Sequence, residues 1–95
     1  MSIHRIAAKR DANEREIIEA LQACGCTVQQ LSMKGVPDLL VGFIDPHTGV
    51  MHNYLIEVKD KGGKLTMDEI AWQAKWNGPV FTVYTVDQVM ELVGR

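Results

Sequence analysis

Cysteine is almost missing from this chain, and so are several other residue patterns that would have settled its class at once. Cys24 and Cys26 are the only two thiols in 95 residues. They stand too close in sequence for an ordinary disulfide, which excludes the cross-linked framework of small secreted domains. A zinc site pairing them with His47 and His52 fits no finger spacing. Cys24 is expected at a helix end and Cys26 at a strand start. No apolar run approaches the ~20 residues of a membrane span. The first ten residues carry His4, Arg5, Lys9 and Arg10 with no apolar core between them, so no signal peptide is expected and the cytoplasm is the expected compartment. An excess of positive charge is missing too: 10 Lys and Arg against 12 Asp and Glu give a formal charge of −2. Generic nucleic-acid binders run basic. The objection weakens if some carboxylates hold cations, and the basic residues do cluster, at Arg5, Lys9 and Arg10 and again at Lys59, Lys61 and Lys64. A solvated surface explains such clusters equally well. Repeats, linkers and low-complexity tracts are also lacking. What remains is one domain over residues 1–95, 46% hydrophobic and 23% charged, with a single modest core.

The most informative residues present are Gly35-Val36-Pro37-Asp38 and Glu57-Val58-Lys59. Asp38 opens an apolar run, Leu39-Leu40-Val41. Glu57 and Lys59 close another, Tyr54-Leu55-Ile56-Glu57-Val58-Lys59. Residues two apart on a strand point the same way, so Glu57 and Lys59 share a face that Asp38 could reach from a paired strand. A same-face ion pair on an exposed strand is the plain alternative. The flanking Leu55, Ile56 and Val58 favour a strand buried on both faces, where charges persist only when they bind something. Two carboxylates and an ammonium on one patch suit metal-assisted phosphodiester hydrolysis, with hard oxygen ligands for Mg²⁺ and a cation near the developing charge.

Periodicity supplies the frame. Asp11 to Cys24 reads as a helix with Asp11 as N-cap, Gly25 as its C-terminal stop and an apolar stripe of Ile17, Ile18, Leu21 and Cys24. At about 100° per residue Glu14 falls within roughly 30–40° of that stripe's centre, while Glu16 and Glu19 lie far from it. Glu14 can serve the site, complete a capping box with Asp11, or do both. Residues 26–31 read as a strand, 32–37 as a loop, 39–44 as a second strand, 45–49 as a turn and 50–59 as a third strand. Strands two and three then form a hairpin that places residue 38 within a few positions of 57. A flexible Lys61–Lys64 loop follows, then a helix opened by the Thr66–Glu69 capping box and carrying Ile70, Trp72, Gln73 and Trp76. Asn77-Gly78-Pro79 stops it, 80–84 reads as a fourth strand, and Thr85–Gln88 caps a last helix. The order α-β-β-β-α-β-α gives an α/β fold with a mixed sheet of about four strands and flanking helices.

With these residues in this order, the chain resembles the PD-(D/E)xK nuclease superfamily and its restriction-endonuclease-like core. Within it, Glu14, Gly35-Val36-Pro37-Asp38, Glu57-Val58-Lys59 and Gly63-Lys64-Leu65-Thr66 leading to Trp72 are similar to a stand-alone VRR-Nuc domain of phages and bacteria. The likeness runs from about residue 11 to 93. It implies that Asp38, Glu57, Glu14 and the Val58 carbonyl hold Mg²⁺ or Mn²⁺, and that Lys59 is the catalytic lysine. The family's usual glutamine aligns with Glu69, so Gln73 one turn later is a substitute, or Glu69 is an added acid or only a capping residue. Lys34, Lys61 and Lys64 are candidate DNA contacts. The resemblance further implies a homodimer acting on branched DNA such as Holliday junctions, in a bacterial cell or phage-infected host. Met51, Tyr54 and the apolar face of the first helix are the candidate dimer contacts. A nuclease for linear or nicked duplex, and a catalytically silent DNA-binding module, are the alternatives.

Overall fold

A computed structural model describes residues 11–95 of the protein. The basic group Arg5, Lys9 and Arg10, and with it the segment in which no signal peptide is expected, therefore lies outside the described residues. Among the described residues seven elements follow in order: α1 (Glu14–Ala23), β1 (Thr27–Gln30), β2 (Leu39–Ile44), β3 (Met51–Val58), α2 (Met67–Lys75), β4 (Val80–Val83) and α3 (Val86–Leu92). The sheet runs β1-β2-β3-β4. Its first two pairings are antiparallel and β3 with β4 is parallel, so the α2 crossover is what makes the sheet mixed. The expected α/β architecture with a central hairpin is thus the observed one.

Alternation along the strands divides the sheet into two faces. Leu39, Val41 and Phe43 of β2, Ile56 and Val58 of β3, and Val83 of β4 bury one face against Ile17 and Leu21 of α1 and Val89 and Val93 at the end of α3. Burying each such side chain contributes on the order of 1.5–3 kcal/mol. Four successive residues of β3, Leu55 to Val58, are buried, so its end is enclosed on both faces, as its composition predicts. The second face carries Leu40, Leu55 and Glu57 and meets α2. That helix buries none of its residues fully. Ile70 stays 50% exposed and Trp76 49% exposed, so the expected stripe of α2 does not enter the main core. Its start is fixed instead by the Thr66–Glu69 capping box, and α3 begins with the matching Thr85–Gln88 box.

Two expectations change at α1. The helix begins at Glu14, with Asn13 rather than Asp11 in the N-cap position. Asp11 contributes only its backbone carbonyl, which accepts from the Glu14 N–H at 3.1 Å. No box between Asp11 and Glu14 forms, because the chain enters the helix two residues later than its charge pattern suggests. The apolar face of α1, a candidate dimer contact, is filled by the protein's own core: Ile17 and Leu21 are 0% exposed. Tyr54 is likewise engaged, its ring 4.9 Å from Phe43 and 4.7 Å from Phe81. Of the three candidates, Met51 alone faces outward, 80% exposed. Cys24 ends α1 and Cys26 precedes β1 as expected, their sulfurs 3.9 Å apart.

Candidate active site

The hairpin register builds the site. Leu39 pairs with Ile56, so the residue before Leu39 meets the residue after Ile56, and Asp38 stands beside Glu57. Asp38 is held at both ends: its Oδ2 accepts from the Val58 N–H at 2.8 Å, and its backbone carbonyl accepts from Leu31 N–H at 2.7 Å. The preceding Gly35 has φ +82, and a Cβ there would lie 3.2 Å from the Asp68 carbonyl. Only glycine lets this loop pass so close to the start of α2. The Gly-x-Pro-Asp turn thus docks the aspartate's loop against the helix that roofs the site.

Glu57 is 1% exposed. The Lys59 ammonium lies 3.4 Å from Glu57 Oε2 and 2.8 Å from Glu69 Oε1. Glu69 is the third residue of α2, and its carboxylate also accepts from the Thr66 N–H at 2.8 Å. Capping and site contact, alternatives in the sequence, coexist in this one side chain. Two acids, Glu57 and Glu69, therefore share one lysine that sits closer to Glu69, while Asp38 bears on Glu57 from the neighbouring strand. The consequence falls on Glu57. Burial, then the neighbouring charges of Asp38 and Glu69, push its carboxyl up to about 9. Burial alone would lower Lys59, but the Glu69 hydrogen bond and the charges of Glu57 and Glu69 outweigh it, and the ammonium is held above its usual range. Glu69 moves the other way: burial is overcome by its bonds to Lys59 and to the Thr66 backbone.

Glu14 is 3% exposed, as its angle on α1 predicts, and its Oε2 accepts from Gln30 Nε2 at 3.0 Å. This ties it to the β1 side. Among the described residues no three carboxylate, imidazole or thiol groups stand close enough to chelate one ion as arranged. The expected meeting of Glu14, Asp38 and Glu57 around a single point is therefore not preformed, because Gln30 holds Glu14 while Glu57 turns toward Lys59 and Glu69. Val58, which the resemblance casts as a carbonyl ligand, donates its N–H to Asp38 Oδ2 at 2.8 Å. Gln73 lies one turn beyond Glu69, and its buried Nε2 meets no hydrogen-bond partner among the described residues. Lys34 pairs with Asp68 at 3.4 Å while 89% exposed, and Lys61 and Lys64 are exposed in the loop after β3.

Two residues of the site escaped the sequence reading. Asn13 Nδ2 donates to the Lys59 carbonyl at 3.1 Å and to the Tyr84 carbonyl at 2.8 Å. One amide thereby pins the start of α1 to the ends of β3 and β4, directly before Glu14. Asp11 sits within electrostatic reach of the same strand end. Its carboxyl is raised by burial first, then by Asp60, with Asp38 adding and Lys59 opposing. The one local signal was Asp-Ala-Asn ahead of a helix, which reads equally well as capping.

The donor set fits a hard divalent cation. Glu57 Oε1 is buried with no hydrogen-bond partner among the described residues, beside a second carboxylate and in a patch where acids outnumber the ammonium. Such oxygen-rich, under-compensated sites suit Mg²⁺ or Mn²⁺. Asp38 and Glu57 would be the residues to hold such an ion.

Comparison with known proteins follows the same line. No family model matches the chain, and no curated protein does. A solved structure described as a VRR_NUC domain matches with a TM-score of 0.63 and 31% identity, covering 84% of this chain and 88% of its own.

Proposed function

The chain belongs to the VRR-Nuc family of nuclease domains, and from that premise we propose that it is a divalent-metal-dependent endonuclease that hydrolyses phosphodiester bonds in branched DNA, four-way junctions among them, as a homodimer in the cytoplasm. The observation that carries the reading is the shared patch of Asp38, Glu57 and Lys59 at the end of the hairpin. Asp38 and Glu57 would hold Mg²⁺ or Mn²⁺, with the Val58 carbonyl and Glu14 of α1 as further ligands. A cation held there would lower the pKa of a water and polarise the scissile phosphate.

The remaining roles belong to the protein's own groups. Lys59 keeps its proton because Glu69 and Glu57 face it. It therefore acts as a fixed positive charge near the phosphate, and does not take a proton from the attacking water. Glu69 and Gln73 orient Lys59 and the water from α2. Asn13 sets the spacing between the Lys59 strand end and Glu14. A domain of 95 residues offers little surface for selecting a DNA shape, and two-fold pairing doubles it while matching two strands.

The test is direct. A four-way junction and a matched linear duplex are each incubated with Mg²⁺ and with chelator. Cleavage of the junction with Mg²⁺ and none in chelator is the expected result. Equal cutting of the linear duplex transfers the substrate to linear DNA, and absence of cutting with any divalent ion leaves only a silent binding module.

A further inference from the structure

The loosely covered face of the sheet holds more than the carboxylates. Between α2 and the sheet lies an apolar slot of about 370 Å³ whose walls include Leu31, Val36, Leu40, Leu55, Trp72 and Trp76. Trp72 and Trp76 stack with ring centroids 4.8 Å apart and an interplanar angle of 20°. The same two indoles line an adjoining cavity of about 400 Å³ whose rim carries Lys34 and Lys75. Flat aromatic walls on one side and ammonium groups on the other suit a flat π-system attached to an anion.

Position relative to the site makes the match specific. Leu40 is two residues from Asp38 on β2, and Leu55 is two from Glu57 on β3, so slot and carboxylates share one face of the sheet. Residues two apart on a strand are separated by about 6–7 Å, the reach of one nucleotide along an extended strand. The helix that walls the slot with Trp72 and Trp76 also sends Glu69 to Lys59. The Lys34 bond to Asp68 is no obstacle, since that pair is solvent-exposed and is readily exchanged for a phosphate.

We propose that this slot receives a single unstacked nucleobase adjacent to the scissile phosphate, gripped by Trp72 and Trp76, with Lys34 and Lys75 on the neighbouring backbone phosphate. The inference rests on the nuclease reading above and deepens it: substrates are chosen by the ease with which one base leaves the stack next to the cut. Extrusion is easiest for unpaired or branch-point bases, so the slot converts a general phosphodiesterase site into one that favours branched DNA. Base stacking on an aromatic side chain is sequence-tolerant because every base has a π-face, and the slot's hydrocarbon walls select for flatness.

The test compares cleavage of one branched substrate bearing a natural base next to the cut with the same substrate bearing an abasic residue there. The wild-type protein is expected to lose about tenfold or more in kcat/KM on the abasic substrate. Trp76→Ala is expected to cleave both substrates at the wild-type's abasic rate, and Trp76→Phe to recover discrimination. A 2-aminopurine-labelled single strand, titrated in chelator, reads base capture without cleavage: its emission is expected to quench on the wild-type and not on Trp76→Ala. Circular dichroism and light scattering on each variant establish folding and oligomeric state. Equal cleavage of natural and abasic substrates by the wild-type overturns the slot while leaving the nuclease reading intact. Loss of the dimer in Trp76→Ala overturns it too, by assigning the indoles to a second copy. Absence of cleavage of either substrate, with 2-aminopurine still quenched, refutes the nuclease reading and leaves the slot.

Discussion

The two faces of the sheet are built to opposite rules. Under α1 and α3, Ile17, Leu21, Leu39, Val41, Ile56, Val58, Val89 and Val93 are all 0% exposed. Under α2, Leu40 and Ile70 remain substantially open to solvent, a cavity persists beneath the indoles, and Glu57 is buried among other acids. The packed face supplies stability. The other accepts buried charge and incomplete packing, which oppose folding and which a cation and a substrate can each relieve. The lesson is a division of labour across a sheet four strands wide.

Mutations on the two faces should separate the two properties. The largest effect is expected from Asp38→Ala and Lys59→Ala, each lowering cleavage by about 10²–10³-fold or more. Their melting temperatures should stay within a few degrees of wild type, since neither side chain fills the core; a gel-based cleavage assay and a thermal melt decide it. Leu21→Ala, on the packed face, should do the reverse and cost about 2–5 kcal/mol in urea unfolding. Ile70→Ala, on the open face, should change stability by less than about 0.5 kcal/mol.

Glu57 sharpens the comparison because it joins both properties in one residue. Its folded carboxyl, at about 9, lies far above the ordinary 4.5. Between those values the unfolded chain has lost a proton that the folded chain keeps. The folded state then binds more protons, so stability falls as pH rises across that window and the penalty is complete above it. In chelator, the wild-type should therefore grow less stable from about pH 5 toward pH 9, measured by urea midpoints. Glu57→Gln should flatten that slope and stabilise the ion-free protein at pH 8 by about 1–3 kcal/mol, while eliminating cleavage. A smaller effect, about 0.5–2 kcal/mol, is expected from Thr66→Ala through loss of the Oγ1 that accepts from the Glu69 N–H. Cleavage should change little, since the Thr66 backbone N–H that holds the Glu69 carboxylate beside Lys59 is retained.

Much of this was legible in the chain. Apolar alternation gave the hairpin, and the hairpin alone brought Asp38 to Glu57. The helical angle of Glu14 foretold its burial. What could not be read were contacts that depend on where helices sit. Asn13 looks like any N-terminal helix residue, yet its amide bridges to Lys59 and Tyr84, far off in sequence. Asp11 signals a cap by type but lies near Asp38 and Asp60 because the helix begins later. The hold of Gln30 on Glu14 depends on how β1 lies against α1, which no local pattern encodes. Ile70 and Trp76 carry a core-like spacing that tertiary placement leaves half open.

Calorimetric titration of Mn²⁺ into the protein at pH 7.5, in two buffers of different ionisation enthalpy, tests the central claim that a dication belongs on the Asp38 and Glu57 carboxylates. Saturable binding to the wild-type with release of about one proton from Glu57, and loss of both in Asp38→Ala, is the predicted result. Binding of equal strength to Asp38→Ala, or no binding to the wild-type, would contradict it.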